Sequence, residues 1–338
     1  MTNLRIGLVG CGKQAPKHIS GLLAVDSDIR VVVADVDQNA AKALAGKFNV
    51  EVADSVDALF EMKDIDAIDV CTPVPFHYDL CLRAMHAGKH IFCEKPLVTN
   101  QLEAQELERV RAEKDVVGMV GYLYRFTPML SMFKGLLDHQ KFESSFGRPV
   151  VANFRIGGRG SHQVWKHRKE TGGGAINEML VHMVDLALWY FGAPEKVEVL
   201  SCDQLLSARE IDGQTVDVDA EDIVQVRLQT KSGVLINIQA DMLTPSFTQF
   251  VEVQGSKGTF CGSIQPSYSS YLFIDEEFEG YTKGMNKLEA EPSNLFQIQM
   301  GQFVEAIGDR NKSVSSTIED SINLIRVMDQ ISKQSYEH

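Results

Sequence analysis

Hydrophobic positions in the first third of the chain fall into short β-branched runs separated by amphipathic stretches. The runs "LRIGLVG", "IRVVVADVD", "VEVAD", "IDAIDVCTP", "HIFCEKP" and "VVGMVGYLY" read as strands, and segments 39–48, 76–87 and 101–113 read as helices between most of them. Strands that alternate with helices in this way predict an α/β arrangement, a doubly wound parallel sheet. Segment 171–189, "TGGGAINEMLVHMVDLALW", follows a different rule. It is apolar on every side of a helix and yet carries Glu178, His182 and Asp185, spaced by four and three residues so that they share one face. A helix that is apolar all round is a buried one, where an acid or an imidazole is costly unless partnered or used.

The first turn, "GLVGCGKQAPKH", places Gly10, Gly12 and Ala15 at the three positions of G-x-G-x-x-G/A, after a strand and before a helix. Gly10 allows the tight turn, Gly12 lets a pyrophosphate approach the backbone, and Ala15 lets the helix sit close to the strand. The helix N-terminus offers unpaired N–H groups and a positive dipole end to phosphates. Asp35, twenty residues after Ala15, ends the next strand, where a carboxylate accepts hydrogen bonds from a ribose diol and repels a 2′-phosphate. NAD is therefore expected over NADP, although Lys13 in the turn could clamp a 2′-phosphate. Gly10, Gly12, Lys13, Gln14, Ala15 and Asp35 are the expected cofactor-binding residues of this end.

Composition narrows the partners. Lys and Arg total 33 against 46 Asp and Glu, a formal net charge of −13, and no basic stripe builds up, so nucleic acid and anionic membrane are poor partners. The start "MTNLRIGLVG" enters a strand pattern without the features of a signal peptide, and the cytoplasm is the expected compartment. Six scattered cysteines without a CxxC fit reduced thiols. His86 and His90 have a ligand-like spacing, but Gly88 breaks the helix that would align them, and no metal site is expected.

At the end of the fifth predicted strand lies "IFCEKPLVTN". The carboxyl ends of parallel strands line the ligand crevice, so Lys95 is placed to reach a nicotinamide and its substrate, and Pro96 restricts its neighbour's backbone. A surface turn with Glu94 and Lys95 facing water is the plainer reading of "EKP" alone.

Taken together, "VGCGKQA" with His18, "CTPVPFH" (Thr72, Pro73, His77), "EKP", "VGYLYRFTP" and "GGG" followed by "EMLVHMVDLA" resemble the Gfo/Idh/MocA family of nicotinamide-dependent dehydrogenases. The motifs run in family order as far as Trp189. The resemblance implies an N-terminal Rossmann domain over 1–122 and a C-terminal α+β domain over 123–338. The latter would have an open-faced, mainly antiparallel sheet, built from segments such as "PVVANFRI", "KVEVLSC", "DIVQVRLQ" and "VLINIQADM" and closed by a helix at 318–332. It also implies that Thr72, Pro73, His77, Glu94 and Lys95 border the cofactor, and that Lys95 and His182 handle the reacting hydroxyl, with Glu178 at the position of the family's Asp. On that reading the polar face of segment 171–189 lines a site. His182 has the intrinsic pKa of a general base, Glu178 would orient it, and Lys95 would hydrogen-bond the oxygen as it becomes anionic.

Two departures stand out: Glu178 adds a methylene to the family's Asp, and Leu123 replaces a family Asn. Arg125 could hold a substrate group or a salt bridge, and Asp185 could contact substrate or cap a buried network. In the loop "GGRGSHQVWKHRKE", Trp165 is expected to stack on a sugar or on the cofactor, while His162, Lys166 and Arg168 could bind an anionic handle or simply face water. The acidic stretch "DEEFEGYTKGMNKLEAEP" reads as an exposed excursion or a contact with a neighbouring subunit. The expected activity is hydride transfer between NAD and a secondary hydroxyl or ketone of a cyclitol, sugar or sugar derivative, by a homodimer or homotetramer formed through the C-terminal sheet. A reductase of nucleotide-linked sugars and a sensor that has lost catalysis remain the alternatives.

Overall fold

The computed structural model describes residues 4–159, 163–211, 213–265, 268–289, 291 and 293–335. They divide into two compact units, Met1–Phe126 with Ser293–Ile325, and Thr127–Pro292 with Arg326–His338. The chain thus returns to the first unit after the second is built, an arrangement that a single cut at residue 122 does not express.

The first unit opens with β1 (Arg5–Val9), α1 (Ala15–Val25), β2 (Arg30–Ala34), α2 (Gln38–Phe48), β3 (Glu51–Val52), α3 (Val56–Glu61) and β4 (Ala67–Val70). It continues with α4 (His77–His86), β5 (His90–Cys93), α5 (Gln101–Lys114) and β6 (Gly118–Val120). The six strands lie in the order β3-β2-β1-β4-β5-β6, and every pairing is parallel. β1 and β4 are buried at every position, which is why their sequences are mostly apolar and not alternating, with Arg5 at the start of β1 and Asp69 within β4 as the charged members. Local signals set the helix starts: Asp37, Ser55 and Asn100 each accept a backbone N–H of the helix they precede, at 2.8–3.0 Å.

The second unit contains α6 (Pro128–Asp138), α7 (Phe142–Phe146), β7 (Pro149–Gly157), α8 (Val181–Phe191) and β8 (Pro194–Asp203), then the hairpin β9 (Ala208–Ile211) and β10 (Gln214–Asp217). β11 (Ile223–Thr230), β12 (Leu235–Asp241), β13 (Thr248–Gly255), β14 (Thr259–Gly262), β15 (Ser270–Ile274) and β16 (Gly284–Leu288) follow. Eight strands form one sheet in the order β16-β15-β14-β13-β7-β12-β11-β8, antiparallel except for β12 against β7. β7 and β11 alternate buried and half-buried positions, so one face is packed and the other stays partly open. The acidic stretch expected as an excursion contains β16, whose alternating pattern suits an edge strand with one neighbour. At the opposite edge Gln334 accepts the Val199 N–H at 2.9 Å and donates to the Val197 carbonyl at 3.0 Å, which occupies β8 groups that a free edge would leave open.

Two helices complete the chain. α9 (Leu295–Gly308) packs on α1, and the backbone approach is so close that a Cβ on Gly21 would lie 2.8 Å from the Phe296 carbonyl oxygen. α10 (Ile318–Ser335) has its residues to Ile325 grouped with the first unit and the rest with the second.

In the core of the second unit the Phe133 ring stacks on Phe260, 3.9 Å between centroids, and meets Phe146 and Tyr190 edge-on. Phe133→Ala removes a fully buried ring, and its denaturant midpoint should report a loss of about 3–5 kcal/mol. An unchanged midpoint would show that this cluster does not hold the unit together.

Candidate active site

The glycine turn is built by close approach. Gly10 has φ +96°, and a Cβ there would sit 2.8 Å from the Cys71 carbonyl, so neither the conformation nor the space admits a side chain. Above Gly12 nothing lies within 4 Å. α1 begins at Ala15 with no side-chain cap and no acid in its first turn. Pro16 carries no N–H and those of Lys17 and His18 donate to the Gln14 carbonyl at 2.8 and 3.2 Å, so an anion would meet the positive end of the helix dipole and the turn backbone before it. Lys13 and Gln14 are exposed beside it and Ala15 is buried. Asp35 accepts the Cys11 N–H at 2.6 Å through Oδ2 and the Asp37 N–H at 2.8 Å through Oδ1, so the carboxylate is fixed while each oxygen keeps a lone pair for a diol. The Thr72 hydroxyl is buried without a partner, and Pro73 beside it is exposed. An open backbone cradle, an anchored carboxylate and an orphaned hydroxyl fit a dinucleotide. Burial and then the Asp35 charge push the Cys11 thiol up to about 12, which keeps it neutral and rules out a thiolate role.

Histidines hold the turn after β5. Lys95–Pro96 is a cis peptide. His77, buried at the start of α4, places Nδ1 at 3.0 Å from the Pro96 carbonyl oxygen and 3.1 Å from that of Leu97, and Nε2 at 2.8 Å from that of Thr72. The cofactor-bordering role expected of its side chain gives way to tying two loops together, because both ring nitrogens are already committed. On the other side, His18 of α1 lies 2.9 Å from Asp69 through Nδ1 and 3.0 Å from Glu94 through Nε2, and the Cys71 sulfur is 3.1 Å from Nδ1. Glu94 in turn accepts the Lys95 backbone N–H at 3.0 Å. Burial alone would lower the His18 pKa, but the charge of Asp69, the Cys71 sulfur and the hydrogen bonds to both hold it well above the usual imidazole value. Glu94 is pushed up by burial and carried below its usual value by His18 and Lys95.

Arg125 is 2% exposed and donates to the Ser315 carbonyl at 2.6 Å and to Asp320 at 2.9 Å, all within the first unit. The salt-bridge alternative is thus present, with Nη1 held on the segment that leads into α10. The Asp69 carboxylate was not singled out from sequence, although the acid at the centre of "AIDV" was a visible signal.

In the second unit two of the three glycines, Gly173 and Gly174, meet backbone or an acid. Gly172 has φ +73°. A Cβ on Gly173 would lie 2.4 Å from the Lys166 carbonyl, and one on Gly174, at φ +106°, would lie 2.2 Å from Glu221. Glu221 accepts the Ile176 N–H at 3.0 Å through its carboxylate and the Ala175 N–H at 3.0 Å through its carbonyl, so it caps the helical segment from outside the sequence motif. Burial raises the Glu221 pKa, against the pull of the Ile176 hydrogen bond. The expected single helix starts as a π-turn at Ile176–Leu180 and becomes α8 at Val181, a distortion common where a helix serves a site. Glu178 lies on that turn, paired with Lys166 in a salt bridge. His182 is half-buried and Asp185 is 2% exposed. Trp165 is 44% exposed, with the Lys166 ammonium 5.2 Å from its ring centre. His162 lies outside the described residues.

Comparison with known proteins places this geometry. The GFO_IDH_MocA family model, "Oxidoreductase family, NAD-binding Rossmann fold", matches residues 4–122, and the companion "Oxidoreductase family, C-terminal alpha/beta domain" matches residues 143–338. Inositol 2-dehydrogenase of Rhizobium meliloti (strain 1021) is 32% identical over 324 residues, 94% of this chain and 89% of its own length. Myo-inositol 2-dehydrogenase of Thermotoga maritima is 29% identical over 257 residues, covering 75% of this chain and 74% of its own. A solved levoglucosan dehydrogenase in complex with NADH superposes with a TM-score of 0.86 over 99% of this chain and 98% of that one, at 20% identity, which speaks to the fold alone.

The His18 cluster has a pH signature. A raised pKa means that the imidazolium's stabilisation is present in full below its ordinary value of 6.5 and is lost as pH rises through the raised value. Urea midpoints taken from neutral into alkaline pH should therefore fall more steeply for the parent than for His18→Gln. Parallel curves would mean that His18 carries no such charge.

Proposed function

The chain belongs to the GFO_IDH_MocA oxidoreductase family, and from that premise we propose that it oxidises a secondary hydroxyl of a cyclitol, sugar or sugar derivative with NAD, or runs the reverse reduction. The observation that carries the reading is the dinucleotide cradle with its anchored Asp35, beside a turn that holds Lys95 between two histidine-tied neighbours. The names of the inositol and levoglucosan dehydrogenases support a polyhydroxylated ring as substrate.

NAD, held by the glycine turn and Asp35, would supply the acceptor for the hydrogen and electron pair of the carbinol carbon. The hydroxyl proton goes to His182, and Lys95 hydrogen-bonds the oxygen as charge builds on it. Glu178 supports His182 in place of the family's Asp. The extra methylene is answered by Lys166, which pairs with the longer carboxylate. Gly10, Gly12, Lys13, Gln14 and Ala15 receive the pyrophosphate end, Asp35 the ribose, and Thr72, Pro73 and Glu94 border the remaining length. Trp165 offers a face for a sugar to stack on, and Asp185 shares the helix side of Glu178 and His182.

The partly open face of the eight-stranded sheet, with paired Asn153 and Asn237 and paired Gln225 and Gln239, supports assembly into a homodimer or homotetramer. Six free cysteines support a reducing compartment, the cytoplasm.

Turnover should appear as NADH absorbance on a panel of cyclitols, free sugars, sugar acids and nucleotide-linked sugars. A response confined to the nucleotide-linked members would move the assignment to that class, and silence in both directions with NAD bound would favour a sensor. Asp35→Ala should weaken NAD by about tenfold or more, the loss of a charged hydrogen bond to the diol, with little change for NADP. Equal weakening of the two cofactors would remove Asp35 from the ribose site. Lys95→Ala and His182→Ala should each lower kcat by about 10²–10⁴-fold while NAD affinity is retained, and near-parent turnover in either would overturn its role.

A further inference from the structure

A histidine enclosed on all sides between two carboxylates is unusual enough to require a use. His18 has no exposed surface. Phe92 of β5 meets its ring edge-on at 5.3 Å and Phe296 of α9 covers it at 5.7 Å, so apolar walls close two directions. The polar groups around it are Asp69 and Cys71 on the β4 side and Glu94 after β5, and Lys95 lies beyond Glu94. Every ring nitrogen has a partner. The same atoms of His18, Asp69 and Cys71 lie close enough together to hold a metal ion, yet their hydrogen bonds satisfy one another without it.

The bonds have a direction. Glu94 is bidentate: Oε1 receives His18 Nε2 at 3.0 Å, and Oε2 receives the backbone N–H of Lys95 at 3.0 Å. Gly121 lies beside the same carboxylate, where a Cβ would come within 3.2 Å of Oε2. Glu94 is thus held from one end by His18 and joined at the other end to the backbone of the lysine. His18 itself stands in the first turn of α1, the helix whose open N-terminus follows the glycine turn.

We propose that His18 is a positioning residue for Lys95: held by Asp69, it fixes Glu94 in the rotamer that receives the Lys95 N–H, and so ties the placement of the reactive lysine to the phosphate-binding helix. This inference rests on the proton-handling role proposed for Lys95. It differs from a packing role in a testable way, because the two ring nitrogens do different things. Nδ1 faces Asp69 and anchors the histidine, whereas Nε2 faces Glu94 and orients it.

Two substitutions separate them. The amide nitrogen of Gln reaches as far as Nε2 and that of Asn as far as Nδ1, so His18→Gln keeps the donor to Glu94 and His18→Asn keeps a partner for Asp69. With the substrate that gives turnover, H18Q should keep kcat within about threefold of the parent and H18N should lose about tenfold or more, with KM for NAD nearly constant in both. A readout independent of turnover is the rate of reductive methylation of the Lys95 amine in the cofactor-free protein, followed by peptide mass. It should rise in H18N and stay near the parent in H18Q. Equal behaviour of the two variants, or a loss confined to NAD affinity, would overturn the proposal.

Should H18N fail to fold, Glu94→Asp serves instead. It keeps the charge but is too short to reach both His18 and the Lys95 N–H, so it should reproduce the H18N loss, and parent-like kcat and labelling would refute the mechanism. Lys95→Ala distinguishes the two levels. An active Lys95→Ala enzyme sinks the functional reading and this one with it, whereas an inactive one, beside indistinguishable H18Q and H18N, sinks only the positioning role.

Discussion

The first unit depends on one constraint: a parallel sheet covered on both faces has no room for unpaired polar groups along its strands. Chemistry is pushed to the carboxyl ends, where the backbone leaves the sheet. The glycine turn follows β1, Asp35 follows β2, Cys71 and Thr72 follow β4, and Glu94 and Lys95 follow β5. Asp69 is the exception within a strand, buried to 1% exposure, and it is tolerated because His18 pairs with it. That pairing links α1 to β4, and the second nitrogen of the same ring extends it to the end of β5.

In both units, glycine is used where backbone must touch backbone or an acid. Gly10 rests on the Cys71 carbonyl, and Gly21 lets α9 lie against α1. In the second unit Gly173 and Gly174 bring the loop carrying Trp165 and Lys166, and the capping Glu221, onto the start of the segment that bears Glu178 and His182. The π-turn at Ile176–Leu180 and the buried cap belong together. The helix begins under an external carboxylate in place of a residue of its own, and Glu178 projects from that irregular turn toward Lys166.

Much of this was legible from local patterns. The strand and helix alternation of the first unit, the glycine turn and Asp35 were readable because each depends on residues near in sequence and on an unchanging backbone requirement. The second sheet was less legible. β16 was hidden in an acidic, turn-rich stretch because an edge strand needs only one partner and little apolar content. Arg125 was ambiguous because a guanidinium suits a substrate and a carboxylate equally, and its pairing with Asp320, 195 residues away, is not encoded in any local pattern.

By itself the sequence determined the order of elements in the first unit, the dinucleotide-binding turn, and the residue types suited to proton transfer at Lys95, Glu178 and His182. These follow from periodicity, glycine's conformational freedom and intrinsic pKa, all of which are local properties. Only the tertiary structure decided which acid partners which base. His18 takes Asp69 and Glu94, His77 takes carbonyls, Glu178 takes Lys166, and Glu221 caps a helix 45 residues before it. Such pairings are settled by burial, because a desolvated charge accepts the partner that folding brings within hydrogen-bond distance, and no local spacing encodes which one that is.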